Sequence, residues 1–304
     1  MAKIAVETEH SRSEAGSPPM VPNLTGRVLA SGDGWNVSDV ICRAGPQDRA
    51  FEEQHSNFCI AAVVKGTFQY RSGAVRELMA PGSLLLGNAG QYFECGHEHG
   101  VGDRCIAFAY EPRRLENLAS QANLRIRSAC FSVLRLPPLR EMSGLITRAH
   151  AGLAQLDCSG DSRNQGALWD EIGTELAVRA LELTNGRSSS RGSLPAAEGR
   201  VARIVRLIDN HPAHKHDLAS LAQEVRLSPY HFLRVFQRLT GLTPYQYVLR
   251  ARLRHAATRL LTERMRVLDI ALDSGFQDVS NFNHSFSAEF GLSPSSFRAR
   301  ARHG

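Results

Sequence analysis

A chain of 304 residues, 42% apolar and 22% charged, is long for one core and ordinary in composition for a soluble globular protein, so two domains are expected. No apolar run approaches the roughly 20 residues that span a bilayer, and the N-terminal stretch lacks the apolar core of a signal peptide, which points to the cytoplasm. The net charge of +6 is unevenly spread: residues 200–304 carry 16 Lys/Arg against 8 Asp/Glu, and residues 1–199 carry 20 against 22, which suggests a polyanion partner for the C-terminal third.

Residues 1–22 read as a disordered tail. From about 35 to 110 the pattern is one of short strands broken by turns: Phe58–Val64, then Gly66-Thr67, Phe68–Arg71, Ser72-Gly73, and Ser83–Leu86 after Pro81-Gly82. Glycine turns this close together predict an antiparallel barrel or sandwich. Two helical patterns follow, Leu139, Met142, Ile146, Ala149 and Leu153, then Leu168, Ile172, Leu176, Val178, Ala180 and Leu183. They are expected to form a helical pair that packs on the barrel or against a second subunit. Asn185–Gly199, rich in Gly, Ser and Pro, reads as a linker at the point where the charge changes sign. The expected layout is thus a tail over 1–22, a first domain over 23–184, a linker over 185–199 and a second domain over 200–304.

In the second domain a helix over Arg200–Asn210 is followed by Asp217, an N-cap, and by Leu218, Leu221, Ala222 and Val225 at helical spacing. After a turn at Arg226–Leu227, Ser228 caps a second helix with Pro229 at its first position and Phe232, Val235, Phe236 and Leu239 on its apolar face. Two short helices joined this way form a helix-turn-helix. Tyr230, Leu233, Arg234, Gln237 and Arg238 are left facing outward. A second copy follows: Val267, Ile270, Ala271 and Ser274, a turn at Gly275, then Ser280 capping a helix that buries Phe282, Phe286 and Phe290. Its outer face shows Asn281, Asn283, His284 and Ser287. Ala222 and Ala271 stand 49 residues apart and set the period. Between the copies Pro244–Leu261 reads as one helix of roughly 27 Å, carrying Arg250, Arg252, Arg254 and Arg259. A rod of that length suits two recognition helices held near the ~34 Å spacing of successive major grooves.

The run Gly275-Phe276-x3-Ser280-x-Phe282-x3-Phe286-x3-Phe290-Gly291-x2-Pro294-x2-Phe297-Arg298 resembles the signature of the AraC/XylS family of bacterial transcription regulators. Ser228-Pro229-Tyr230-x-Phe232-x-Arg234-x-Phe236, followed by Gly241-x2-Pro244, is similar to the family's first half. The likeness covers about residues 200–300. It departs from the family at Asn281, where an aromatic is frequent, and in having no Lys or Arg between Ser280 and Phe290. The resemblance implies an α+β multidomain protein, with an N-terminal cupin-like β-barrel and helical pair and a C-terminal all-α double helix-turn-helix. It implies a DNA-binding transcription activator, not an enzyme, that forms a homodimer, answers to a small-molecule effector and engages RNA polymerase. It puts Tyr230, Leu233 and Arg234 at base-reading positions of the first unit, with Ser280, Asn281, Asn283 and His284 matching in the second. Arg238 and Arg250 are candidates for phosphate contacts. Double-stranded DNA is the expected partner.

No cofactor is expected. The six cysteines, Cys42, Cys59, Cys95, Cys105, Cys130 and Cys158, contain no CxxC pair and read as reduced thiols. Cys95-Gly96-His97-Glu98-His99, with Cys105 and His55, supplies zinc- or copper-type ligands. Metal-binding cupins, however, carry His-x-His before the Pro-x-Gly turn rather than after it, so no metal is expected. A cupin-type dioxygenase or isomerase, and a metal- or redox-responsive regulator, stand as alternatives.

Overall fold

The computed structural model describes residues 23–124, 131–159, 166–184 and 195–303; the expected tail, most of the expected linker and Cys130 lie outside them. The chain divides into two compact units, one of residues 1–136 with 162–199, the other of 137–161 with 200–304.

The first unit holds the strands β1 (Leu24–Gly32), β2 (Trp35–Cys42), β3 (Phe51–Gln54), β4 (Phe58–Gly66), β5 (Phe68–Ser72), β6 (Val75–Met79), β7 (Leu84–Gly87), β8 (Tyr92–Gly96) and β9 (Asp103–Tyr110). Helix α1 (Pro112–Gln121) and the short strand β10 (Arg135–Leu136) complete its first segment. The strands make two antiparallel sheets, ordered β1-β2-β9-β4-β7-β10 and β3-β8-β5-β6. The expected barrel or sandwich is therefore met as two sheets, and no closed ring of strands is present among the described residues. Alternation explains the packing. Ala61 and Val63 of β4, Cys105 and Ala107 of β9 and Leu85 of β7 turn toward Phe68, Tyr70, Met79, Phe93 and Cys95 of the smaller sheet.

Two helices follow the sheets, α2 (Arg140–Ser159) and α3 (Gly166–Thr184). The two helices of the expected pair fall in different units. Helix α3 covers the outer face of the larger sheet: Trp169 meets Phe108 at 6.0 Å between ring centroids, and Tyr110 Oη donates to the Gly173 carbonyl at 2.7 Å. The larger sheet is thus buried on both faces, which is why β4 reads as an unbroken apolar run instead of an alternating one.

Helix α2 instead belongs to the second unit, with α4 (Pro195–Asn210) from residue 200 onward, α5 (Leu218–Glu224), α6 (Pro229–Thr240), α7 (Pro244–Thr262), α8 (Val267–Asp273), α9 (Val279–Phe290) and α10 (Pro294–His303). Helix α4 starts at Pro195, inside the stretch that reads as a linker, because Pro at a first helical position and Glu198 in the first turn favour helix there. Helix α2 lies against α7 and α9, fixed by Ser143 Oγ donating to Glu289 Oε1 at 2.5 Å. No described helix is long and apolar enough to cross a membrane.

A histidine sits inside the first unit's core. His55 Nε2 lies 2.7 Å from Tyr70 Oη, its ring stacks on Phe93 at 4.1 Å, and any side chain on Gly87 would collide with it. Burial pulls the His55 pKa down from 6.5 to about 4, so the imidazole is neutral when folded. Unfolded chains take up this proton at the higher pH, so the contribution of His55 to stability is full above pH 6.5 and is lost as pH drops toward 4. The loss is on the order of 3 kcal/mol. Both tryptophans, Trp35 and Trp169, lie in this unit, so their fluorescence in urea titrations reports its stability alone. The midpoint should fall over that pH window, and His55→Gln should flatten the slope; an equal slope in the variant would assign the titration to another group.

Candidate nucleic-acid interface

The first helix-turn-helix is set by its caps. Asp217 Oδ2 accepts from the Ser220 hydroxyl at 2.7 Å and its Oδ1 from the Ser220 amide at 2.9 Å, opening α5; these hydrogen bonds hold its carboxyl below the usual range. Ser228 Oγ accepts from the His231 amide at 3.3 Å and Pro229 occupies the first turn of α6. Phe232, Val235, Phe236 and Leu239 turn inward, and Phe236 meets Tyr247 of α7 edge-on at 5.6 Å. The apolar face at i, i+3, i+4, i+7 leaves the opposite face to solvent. Tyr230, Arg234, Gln237 and Arg238 are exposed and Leu233 is half-buried. The Arg234 guanidinium lies 5.8 Å from the centre of the Tyr230 ring, a cation–π contact that restrains a side chain with no carboxylate partner among the described residues.

The second helix-turn-helix repeats the plan with one change. Its helix α9 starts earlier than the sequence suggests: Asp278, not Ser280, is the N-cap, its Oδ1 accepting from the Asn281 amide at 2.7 Å. A carboxylate two residues upstream outcompetes the hydroxyl for the free amides and suits the positive end of the helix dipole. Ser280 therefore sits within the first turn. Phe282 and Phe286 are buried, and Phe286 meets Phe297 at 5.3 Å, as Phe236 meets Tyr247. Ser280, Asn281, Asn283 and His284 are all exposed on one helix. Ser285 Oγ donates to Asn281 Oδ1 at 3.2 Å. Both recognition helices end on left-handed glycines, Gly241 at φ 80° and Gly291 at φ 73°. These glycines stand 50 residues apart, against 49 for Ala222 and Ala271, so the second turn is one residue longer.

The arginines of α7 do not form a basic rod. Arg250 donates to the Pro138 carbonyl and pairs with Glu289 at 3.4 Å; Arg252 donates to the carbonyls of Pro212 and His214, each at 2.9 Å. Arg254 pairs with Asp209 at 2.9 Å, and Arg259 with Glu263 at 2.9 Å and Asp273 at 3.1 Å. All four are only partly exposed and serve as internal ties, which removes Arg250 from the phosphate-contact candidates. Asp209 is held between Arg254 and the Tyr247 hydroxyl; burial nevertheless pushes its carboxyl pKa up. His231, exposed on the first turn of α6 beside Tyr230, went unnoticed in the sequence. It stands three residues after the N-cap Ser228, which accepts from its amide.

The metal constellation is broken up by the fold. His55 pairs with Tyr70, Cys95 lies in the core between the sheets, and His99 sits beside Glu98 at 3.8 Å. Burial pushes the Cys59 thiol up to about 12 and also raises Cys95 well above the ordinary thiol value, which keeps these thiols protonated and poor nucleophiles.

Paired helix-turn-helix units, each turning a polar helical face to solvent, define a DNA-binding transcription regulator. A family model described as a helix-turn-helix domain matches residues 221–300. The chain is 32% identical over 98 residues to the HTH-type transcriptional activator AarP of Providencia stuartii, covering 32% of this chain and 73% of that protein. It is 34% identical over 166 residues to the arabinose operon regulatory protein of Salmonella typhimurium, 54% of each. It is also similar to the crystal structure of the DNA-binding domain of AdpA with a target DNA, at 29% identity and a TM-score of 0.34 over 34% of this chain and 94% of that one. The chain belongs to the AraC/XylS family of bacterial transcription regulators. It spans only about half of the arabinose regulator.

The turn between α8 and α9 is a sensitive point. Gly275 has φ +88°, and a Cβ there would stand 2.7 Å from Ala213 Cα and 2.8 Å from its carbonyl oxygen. The equivalent residue of the first helix-turn-helix is Arg226 at φ 54°, which adopts the same left-handed conformation. Gly275→Ala is expected to destabilise the second unit by about 2 kcal/mol or more, combining dihedral strain with a backbone clash. Arg226→Gly should change stability by less than about 1 kcal/mol, strain relief being offset by backbone entropy. Circular dichroism of both variants in urea checks the contrast.

Proposed function

We propose that this protein is a sequence-specific transcription activator in the cytoplasm that reads DNA with both helix-turn-helix units and answers to a small-molecule effector held by its first unit. The observation that carries the reading is the repeated outward face, with Tyr230, Arg234 and Arg238 exposed and Leu233 half-buried on α6, and Ser280, Asn281, Asn283 and His284 exposed on α9. Arg234 has the fork geometry that chelates the O6 and N7 edge of guanine, and asparagine amides match the N6 and N7 edge of adenine. Leu233 suits a thymine methyl, Tyr230 and His284 offer hydrogen bonds to bases or phosphates, and Arg238 suits a phosphate. The first unit, in this reading, is a cupin-like effector and dimerisation domain, so the active species is a homodimer that recruits RNA polymerase. Nothing in the reading calls for an enzymatic step.

Selection of bound sequences from random duplex DNA by the full chain tests this reading. Two short motifs centred about 10 base pairs apart are expected; no enrichment from folded protein would remove the base-reading roles. Arg234→Ala should weaken binding to the selected site by about 1–3 kcal/mol while sparing random DNA. An equal loss on both would reassign Arg234 to phosphate.

A further inference from the structure

We infer that Cys42, His97 and Asp103 form a binding site for a single divalent zinc-class ion, at the end of the first unit where its two sheets meet. The site rests on strand register and on a loop return. Cys42, the last residue of β2, is the cross-strand partner of Asp103, the first residue of β9. Partners across an antiparallel ladder project their side chains to the same face. His97 directly follows β8, which belongs to the other sheet, and the chain between it and Asp103 folds back to bring the imidazole over the pair. The thiol, ring nitrogen and carboxylate oxygen all lie within 4.8 Å of one another. His97 Nε2 stands 2.5 Å from Asp103 Oδ1, and the Cys42 side chain is in hydrogen-bond reach of the ring. Cys42 and His97 are buried, at 4% and 5% exposure.

The donor set is one thiolate, one imidazole and one carboxylate, the mix that zinc accepts in four-coordinate sites. Ligands at ~2.0–2.3 Å from a tetrahedral ion stand roughly 3.3–3.8 Å apart. Loading therefore requires the imidazole to withdraw from the carboxylate by roughly 1 Å, a movement the 98–102 loop can supply. The charges balance: the ion displaces the Cys42 thiol proton and the proton shared by His97 and Asp103, and both pass to solvent. Two anionic ligands and a neutral imidazole then neutralise the dication, which suits a buried position. Cys105, two residues along β9, donates its thiol to Asp103 Oδ2 at 3.4 Å and so orients the carboxylate as an outer-shell partner. Three protein ligands leave a fourth position open, and the bound ion ties the two sheets together.

The test is anaerobic titration of the reduced, chelator-treated full chain with Co2+, followed by competition with Zn2+. About one equivalent should bind, with a thiolate-to-cobalt charge-transfer band and the intense d–d absorption of a four-coordinate ion, both abolished by zinc. Zinc should also raise the urea midpoint reported by Trp35 and Trp169. Cys42→Ser should remove the charge-transfer band and weaken binding at least tenfold, whereas Cys59→Ala should retain both. If Cys42→Ser does not fold, Asp103→Asn serves instead, with the band retained at weakened affinity. A folded wild-type chain with no charge-transfer band would overturn the proposal, as would a band unchanged in the folded Cys42→Ser variant, or binding that leaves the tryptophan-reported midpoint unmoved.

Discussion

Helix α7 is the member on which the second unit depends. Its N-terminal half buries Tyr247, Val248 and Ala251, with Tyr247 against Phe236, and its C-terminal half buries Ala256, Ala257 and Leu260 with Phe282 and Phe286. Alanines at these contacts let neighbouring helices approach closely, while each buried phenylalanine contributes roughly 1.5–3 kcal/mol. Because a helix turns about 100° per residue, the length and phase of this one rod set the rotation of one recognition helix relative to the other. The capping box at its start, where Thr243 and Gln246 exchange hydrogen bonds, fixes where that rod begins.

Charge in this unit does two kinds of work. The arginines of α7 are spent on carbonyls and carboxylates, and buried Glu289 draws Arg250, Arg140 and Ser143 together so that α2 is held against α7 and α9. Removing one partner of such a cluster leaves a buried charge uncompensated, which is costly. Of the two arginines that remain outward on α6, Arg234 is held over Tyr230 instead, a contact that costs little desolvation and leaves the guanidinium edge accessible. On α9 the outward face has no Lys or Arg, only amides, hydroxyls and an imidazole. The two recognition helices therefore differ in chemistry while sharing a frame: one pairs hydrogen bonding with charge, the other relies on hydrogen bonding alone.

In the first unit, two antiparallel sheets face each other and α3 covers the outer side of the larger one. Their alternation sends Phe68, Tyr70 and Phe93 inward and places a neutral histidine among them, where a hydroxyl satisfies its ring nitrogen. At the sheets' end, the same ladder that aligns β2 with β9 sets Cys42 opposite Asp103. A polar cluster can persist there because each member is hydrogen-bonded to another.

Local signals were enough to locate the helix-turn-helix units from sequence. Asp217, Ser228-Pro229 and the phenylalanines at helical spacing specify caps and buried faces within a few residues of themselves, so the outward positions of Tyr230, Arg234 and Asn283 follow directly. Strand limits around Gly66 and Ser72 were legible for the same reason, since turn chemistry is local. What the sequence could not decide depends on distant partners. Asp278 and Ser280 are both good caps, and only the path of the turn selects the first. Helices α2 and α3 look alike as apolar stripes, yet Ser143 finds Glu289 while Trp169 finds Phe108, and they part into different units. The α7 arginines look like a basic face until Asp209, Glu289 and the carbonyls of 138, 212 and 214 come within reach. Likewise, spacing grouped His97 with Cys95 and His99, whereas antiparallel register joined it to Cys42 and Asp103. Periodicity and capping are written within a turn or two of helix, and so the sequence alone determined them; partnership between residues scores of positions apart exists only once the chain has closed, and the tertiary structure alone decided it.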